Sequence, residues 1–187
     1  MKINDKVREV LKPFEVKKVV VGRGHDCGGL ICDLYFNKKK VLQYHDDGWG
    51  GESEQIFLSD KVEKLVLDYL TENNYKQIMF DNGWDFLEDV DKIKFHSMVG
   101  NVVESLVTIK EELKFEKKIK NACKKGVVFG SKTEFRTFAW KGIKTLEQLT
   151  TMKGGVGALQ NAYYNAKKED GVIFNDLGRL KNLGVNV

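Results

Sequence analysis

Residues Leu30 to Phe36 alternate with a period of two. Leu30, Cys32, Leu34 and Phe36 fall on one side of an extended chain, and Ile31, Asp33 and Tyr35 on the other. A β-strand with one buried face suits that pattern, because successive side chains of a strand point to opposite sides. The flanks agree. Val16, Val19, Val20 and Val21 form a β-branched stretch that runs into Gly22, and Asn37-Lys38-Lys39-Lys40 reads as a polar turn. Val41 to Tyr44 then returns as a third strand. The acidic, glycine-rich loop Asp46 to Glu52 leads into a short fourth one, Gln55 to Leu58. Four short strands joined by turns predict an antiparallel meander.

Helical spacing brackets the meander. Asn4 or Asp5 is placed to cap a short helix carrying Val7, Val10 and Leu11, which ends near Pro13. Ser59 caps a helix with Val62, Leu65, Val66, Tyr69 and Leu70 on one stripe, and Asn73-Asn74 stops it. Trp84 to Met98 reads as a further helix, Gly100 as an interruption, and Val102 to Cys123 as the longest helical stretch. Strand character returns at Val127 to Phe129 and Phe135 to Trp140. Gly154, Gly155 and Gly157 open a helix over Ala158 to Lys168, and Gly171 to Asn175 closes as a strand. The expected fold is α+β: an N-terminal antiparallel β-meander, central helices and a C-terminal ββαβ. It is read as one domain, 1–187, with a helical insertion over about 59–123.

No apolar run approaches the ~20 residues of a membrane span, and no apolar core follows the charged N-terminus as in a secretory signal. The expectation is a cytoplasmic protein of the host cell, with no membrane partner. Three cysteines at irregular spacing suit reduced thiols better than a disulfide scaffold. The net charge of +4 is unevenly spread: residues 1–100 hold 15 Lys/Arg against 18 Asp/Glu, and residues 101–187 hold 16 against 9. A DNA mimic needs a dense negative surface overall, which this chain lacks.

Seven of the 18 glycines (22, 24, 28, 29, 48, 50 and 51) fall between positions 22 and 52, among Arg23, His25, Asp26, Asp33, Asp46, Asp47 and Glu52. Glycine permits positive φ and close approach of another backbone, so two loops at adjacent strand ends are expected side by side. A dinucleotide fingerprint fails, since its third glycine would fall at Cys27 and no crossover helix fits before Asn37. Asp26, Asp46, Asp47 and Glu52 are the carboxylates for a site holding Mg²⁺ or Mn²⁺, with Arg23 gripping a phosphate. A zinc site from His25, Cys27, Cys32 and His45 matches no familiar ligand spacing. Cys27 beside His25 lacks an orienting partner for nucleophilic catalysis, and His96 reads as a packed or surface residue. Trp49, held between glycines in a loop without apolar periodicity, suits a binding anchor, although it would equally fold back onto the core. Tyr44, Trp84, Phe86, Trp140, Tyr163 and Tyr164 are further aromatics in polar surroundings. In the basic half, Lys117, Lys118, Lys124, Lys125 and Arg136, interleaved with Phe135, Phe138 and Trp140, are candidates for tracking a nucleic-acid backbone.

Gly22-Arg23, Cys32-Asp33-Leu34-Tyr35, Asn37-Lys38-Lys39 and Asp46-Asp47-Gly48-Trp49-Gly50-Gly51 together resemble small accessory proteins of phages and mobile elements. Those carry a glycine-arginine pair, an Asp-Leu-Tyr followed by a lysine turn, and an Asp/Asn-rich glycine loop. Lys124-Lys125 through Phe129 and Lys167 through Asn175 are similar to their ends, so the likeness covers about the first and last thirds. Asn37 stands where glycine is expected, and His25-Asp26-Cys27 is inserted after Gly24. The resemblance implies a protein that inhibits host defences, including CRISPR effector nucleases, by occupying a surface. The resulting expectation is a non-enzymatic binder of a host protein or ribonucleoprotein complex. Its contacts are Arg23, His25, Asp46, Asp47, Trp49 and Glu52, and it needs no cofactor. The alternative is a divalent-metal nuclease or phosphoesterase using Asp26, Asp46, Asp47 and Glu52.

Overall fold

The computed structural model describes residues 3–22, 28–83, 89–169 and 171–187. The chain is α+β, and it forms two compact units, residues 1–110 and 111–187. Arg23, His25, Asp26, Cys27, Trp84 and Phe86 lie outside the described residues.

The first unit is the expected meander backed by helices. Strands β1 (Phe14–Val21), β2 (Leu30–Phe36), β3 (Lys39–Asp46) and β4 (Glu54–Phe57) form an antiparallel sheet in sequence order. Asn4 caps α1 (Asp5–Leu11), its side chain accepting from the Val7 amide at 2.9 Å. Ser59 does the same for α2 (Asp60–Glu72) at the Val62 amide, and Asn73 ends that helix. One short helix had no separate signal: α3 (Tyr75–Asp81) follows Asn74, whose φ of +50° turns the chain.

Gly100 does not interrupt the long helix. α4 runs unbroken over Phe95–Ala122, preceded by a 3₁₀ turn at Val90–Lys92. A Cβ on Gly100 would sit 3.8 Å from the Tyr44 hydroxyl and 4.0 Å from the Gln55 amide, ordinary van der Waals contact, so the sheet packs here without requiring glycine. The central helices build the same core as the sheet. Val66, Leu70, Tyr75, Met79, Val99, Val102 and Val103 close over Leu34, Leu42 and Tyr44. Tyr75 donates to Asn101 Oδ1 at 2.7 Å inside that core.

The turn after β2 is tighter than the four-residue reading. Phe36 pairs with Lys39, leaving Asn37 (φ +48°) and Lys38 (φ +66°) as a two-residue hairpin turn. Two consecutive positive φ values match the natural twist of a hairpin, which lets β3 begin earlier, at Lys39.

Asp33 faces away from the core, yet it is only 3% exposed. A bulge between Lys17 and Val20 sets Lys18 at φ +51°. Lys40 Nζ then lies 2.6 Å from Asp33 Oδ1. Lys18 Nζ lies 3.0 Å from Oδ2, close enough for an ion pair but off the line of a hydrogen bond. The hydrogen bond from Lys40 outweighs burial and holds the Asp33 carboxyl below the usual aspartate range. A depressed folded-state value stabilises the fold above the unfolded pKa of about 3.9. That contribution is lost as pH falls through the lower, folded value. Urea unfolding followed through that window is expected to show an acid-side loss of about 1 kcal/mol, absent in Asp33→Asn. An unchanged profile in the variant would remove Asp33 from the acid response.

The second unit pairs β5 (Gly126–Gly130) with β6 (Phe135–Ala139) and with β7 (Val172–Ile173), all antiparallel. α5 (Leu146–Thr150), α6 (Gly155–Lys168) and α7 (Leu177–Asn182) pack on them through Leu146, Leu149, Leu159, Tyr163 and Leu180. The expected ββαβ is present with two added short helices, α5 and α7, each capped by a single side chain, Thr145 and Asp176. No helix among the described residues is long and apolar enough to cross a membrane.

Candidate functional site

In the first unit, β1 ends and β2 begins at the same end of the sheet where β3 ends and β4 begins. Two glycine-rich connections therefore meet there. Gly22 N donates to Gly29 O at 2.7 Å, closing the first. A Cβ on Gly29 would lie 3.0 Å from the Asp46 carbonyl oxygen and 3.3 Å from that of Asp47. Absence of a side chain is thus what lets the second loop run against the first.

The second loop is shaped by its own acids. Asp46 Oδ1 accepts from Gly48 N at 2.8 Å, and Asp47 Oδ1 accepts from Trp49 N at 2.9 Å. These are successive Asx turns, in which a short carboxylate satisfies the amide two residues on. Gly48 (φ +73°) and Gly50 (φ +83°) take the left-handed conformations that the turns require. Trp49 sits between them and is 67% exposed. Folding back onto the core is therefore not what it does. Asp47 and Glu52 are exposed beside it, and Asp46 is half-buried.

Position 53 tethers the far end of the loop. Ser53 Oγ and His96 Nε2 are 3.2 Å apart, and Gln55 Nε2 donates to the His96 carbonyl at 2.9 Å and to Ser53 Oγ at 3.2 Å. Burial pushes the Tyr44 phenol up to about 12, against an opposing hydrogen bond with Ser53. Tyr44 is accordingly a neutral part of the core, only 2% exposed, and no surface aromatic. Tyr163, at 5%, is buried likewise in the second unit, whereas Tyr164 is 57% exposed.

The structure brings Asp46, Asp47, Trp49 and Glu52 onto one loop. It also shows an apolar ledge: Val20 and Ile31 are cross-strand partners on the outer face, 58% and 41% exposed, one row in from the Val21–Leu30 pair beside the loops. The signal was there, since Ile31 lies opposite the Cys32 face, but the valine run hid the bulge that turns Val20 outward.

Strand alternation separates two of the zinc candidates. Cys32 points into the core, 1% exposed, where burial pushes its thiol up to about 11. His45 pairs with Ile31 on the outer face, 3.5 Å from Glu54. Among the described residues, no three His, Cys, Asp or Glu side chains stand close enough to share an ion.

The basic candidates all belong to the second unit, which carries 15 Lys/Arg against 8 Asp/Glu. Lys117 and Lys118 are exposed on α4, and Lys124 and Lys125 on the turn that follows it. Arg136 projects from β6 towards Glu169, at 3.5 Å. The interleaved aromatics are occupied in packing. Phe138 stacks on Phe129, Phe135 meets Phe115 edge-on, and Trp140 rests on the second core.

Comparison with known proteins found no matching family, no matching curated relative and no matching solved structure.

Proposed function

We propose that this chain is a non-enzymatic binding protein of phage or mobile-element origin. It inhibits a host defence complex by occupying one of its surfaces, and the contact is the loop end of the first sheet. What supports the reading is Trp49: a large indole, 67% exposed, on a loop whose backbone is held by two Asx turns. A rigid, exposed aromatic loses little conformational entropy on binding, and tryptophan is the residue type most enriched among interface hot spots. Asp47 and Glu52 beside it supply an acidic rim that would favour a basic, nucleic-acid-handling partner.

The test is a cell-based interference assay. The chain is expressed in bacteria whose CRISPR effector destroys a targeted plasmid, and plasmid survival is counted. Survival is expected to rise with the native chain and to fall back in Trp49→Ala. The purified variant is expected to bind its effector about thirtyfold more weakly, as for loss of about 2 kcal/mol at a hot spot. Full protection by Trp49→Ala would remove the loop from the contact. Nuclease activity in Mg²⁺ or Mn²⁺ that vanished in Asp47→Asn would replace the binder by the metal-dependent enzyme.

A further inference from the structure

Beyond the loop end, the first unit holds a cavity of about 240 Å³ where β4 meets the starts of α2 and α4. Its lining has a particular chemistry. Phe57 and Phe95 form one wall, their rings 5.8 Å apart between centroids and 23° from parallel. Asp60 and Glu63, one turn apart on α2, add two carboxylates. Among the described residues, neither acid forms an ion pair. Gln55, Ser59 and His96 complete the lining, the His96 ring held by Ser53 and its carbonyl by the Gln55 amide.

Serine beside histidine invites a hydrolytic reading, which the geometry does not support. Ser53, the serine bonded to His96, is not part of the lining, and the Ser59 hydroxyl that is accepts from the Val62 amide as the α2 cap, so the bonded serine–histidine pair does not face the cavity together. Acids in the first turn of α2 also suit the helix dipole. That accounts for their charge, and packing against the core accounts for one side of the two rings, but neither accounts for the hollow that rings and acids share. Two carboxylates that share a hollow with two aromatic rings are the complement of an organic cation. The acids supply Coulomb attraction and charged hydrogen bonds, and the rings supply cation–π contact and cover for the alkyl stem.

From this we infer that the cavity is a binding site for an alkylammonium group, either a small free amine or a lysine side chain of a partner. The site stands apart from the Trp49 loop, and neither proposal depends on the other.

Titration calorimetry on the full chain tests it, with 1,4-diaminobutane, an N-acetyl-lysine amide and, as the uncharged control, 1,4-butanediol. Saturable binding of at least one amine, with none for the diol, is the expected result. Affinity should fall about tenfold or more in Asp60→Asn/Glu63→Gln, which changes exposed positions and leaves the fold intact. Phe95→Leu should weaken the same amine while the acids remain. Tighter binding of the lysine amide would identify the source as a protein side chain, and tighter binding of the diamine as a free amine. If neither amine saturated below about 10 mM, or if the acid variant bound as the native chain does, the site would not exist.

Discussion

Replacing Asn175 with alanine is expected to cost the second unit about 3 kcal/mol, and the reason lies in where β7 stops. The strand ends at Ile173, and Phe174 N still reaches Val128 O at 2.9 Å. Beyond that point no backbone is left to pair with β5. The Asn175 side chain takes over: its Oδ1 accepts from Val128 N at 2.6 Å, and its Nδ2 donates to Gly126 O at 2.9 Å. One primary amide thereby imitates the next rung of the ladder. Asn175 is 6% exposed and Val128 fully buried, so alanine would strand a donor and an acceptor away from water. Against a typical domain stability of about 5–15 kcal/mol, that is a large fraction. Urea unfolding followed by far-UV circular dichroism measures the loss. Hydrogen exchange places it, because the Val128 amide should lose protection before its neighbours on β5. A loss well under 1 kcal/mol would mean that water replaces the amide, and the ladder argument would fail.

Gly155→Ala is expected to be at least as damaging, although it adds only a methyl group. Gly155 is buried where α6 begins, and a Cβ there would overlap the carbonyl oxygen of Leu149 at the end of α5. Backbone cannot rotate out of the way as a side chain can. Either the α5–α6 corner opens, exposing Leu146 and Leu149 of the second core, or the helix start unwinds. The cost is expected to be about 3 kcal/mol or more, read as a lowered urea midpoint. Gly157→Ala is the built-in control. Nothing lies within 4 Å of its Cβ position, and within a helix alanine is favoured over glycine by about 1 kcal/mol. Equal effects at the two positions would show that the overlap is relieved at little cost.

These two glycines mark a boundary in what a sequence discloses. Gly154, Gly155 and Gly157 read alike as a helix opening, yet their roles differ. Gly154 adopts φ +76°, Gly155 admits a neighbouring backbone, and Gly157 meets nothing. Gly100 likewise reads as a break yet lies inside a 28-residue helix, since one glycine costs a helix only about 1 kcal/mol. The loop end was more legible. Gly29, Asp46, Asp47 and Trp49 were singled out from local chemistry, and the Asx turns that hold Trp49 outward are local events two residues long.

What the chain's own order determined is the part governed by neighbours along it. Alternation in Leu30–Phe36 specified a strand and its buried face, and Asn4 and Ser59 specified helix starts, because strand pleat and cap hydrogen bonds span four residues or fewer. Tertiary structure alone decided that Asp33 would be covered on an outward face, that Asn175 would stand in for a missing strand, and that Phe57, Glu63 and His96 would share one hollow. Those outcomes depend on groups brought together from distant positions, with partners set by packing rather than by any spacing in the chain.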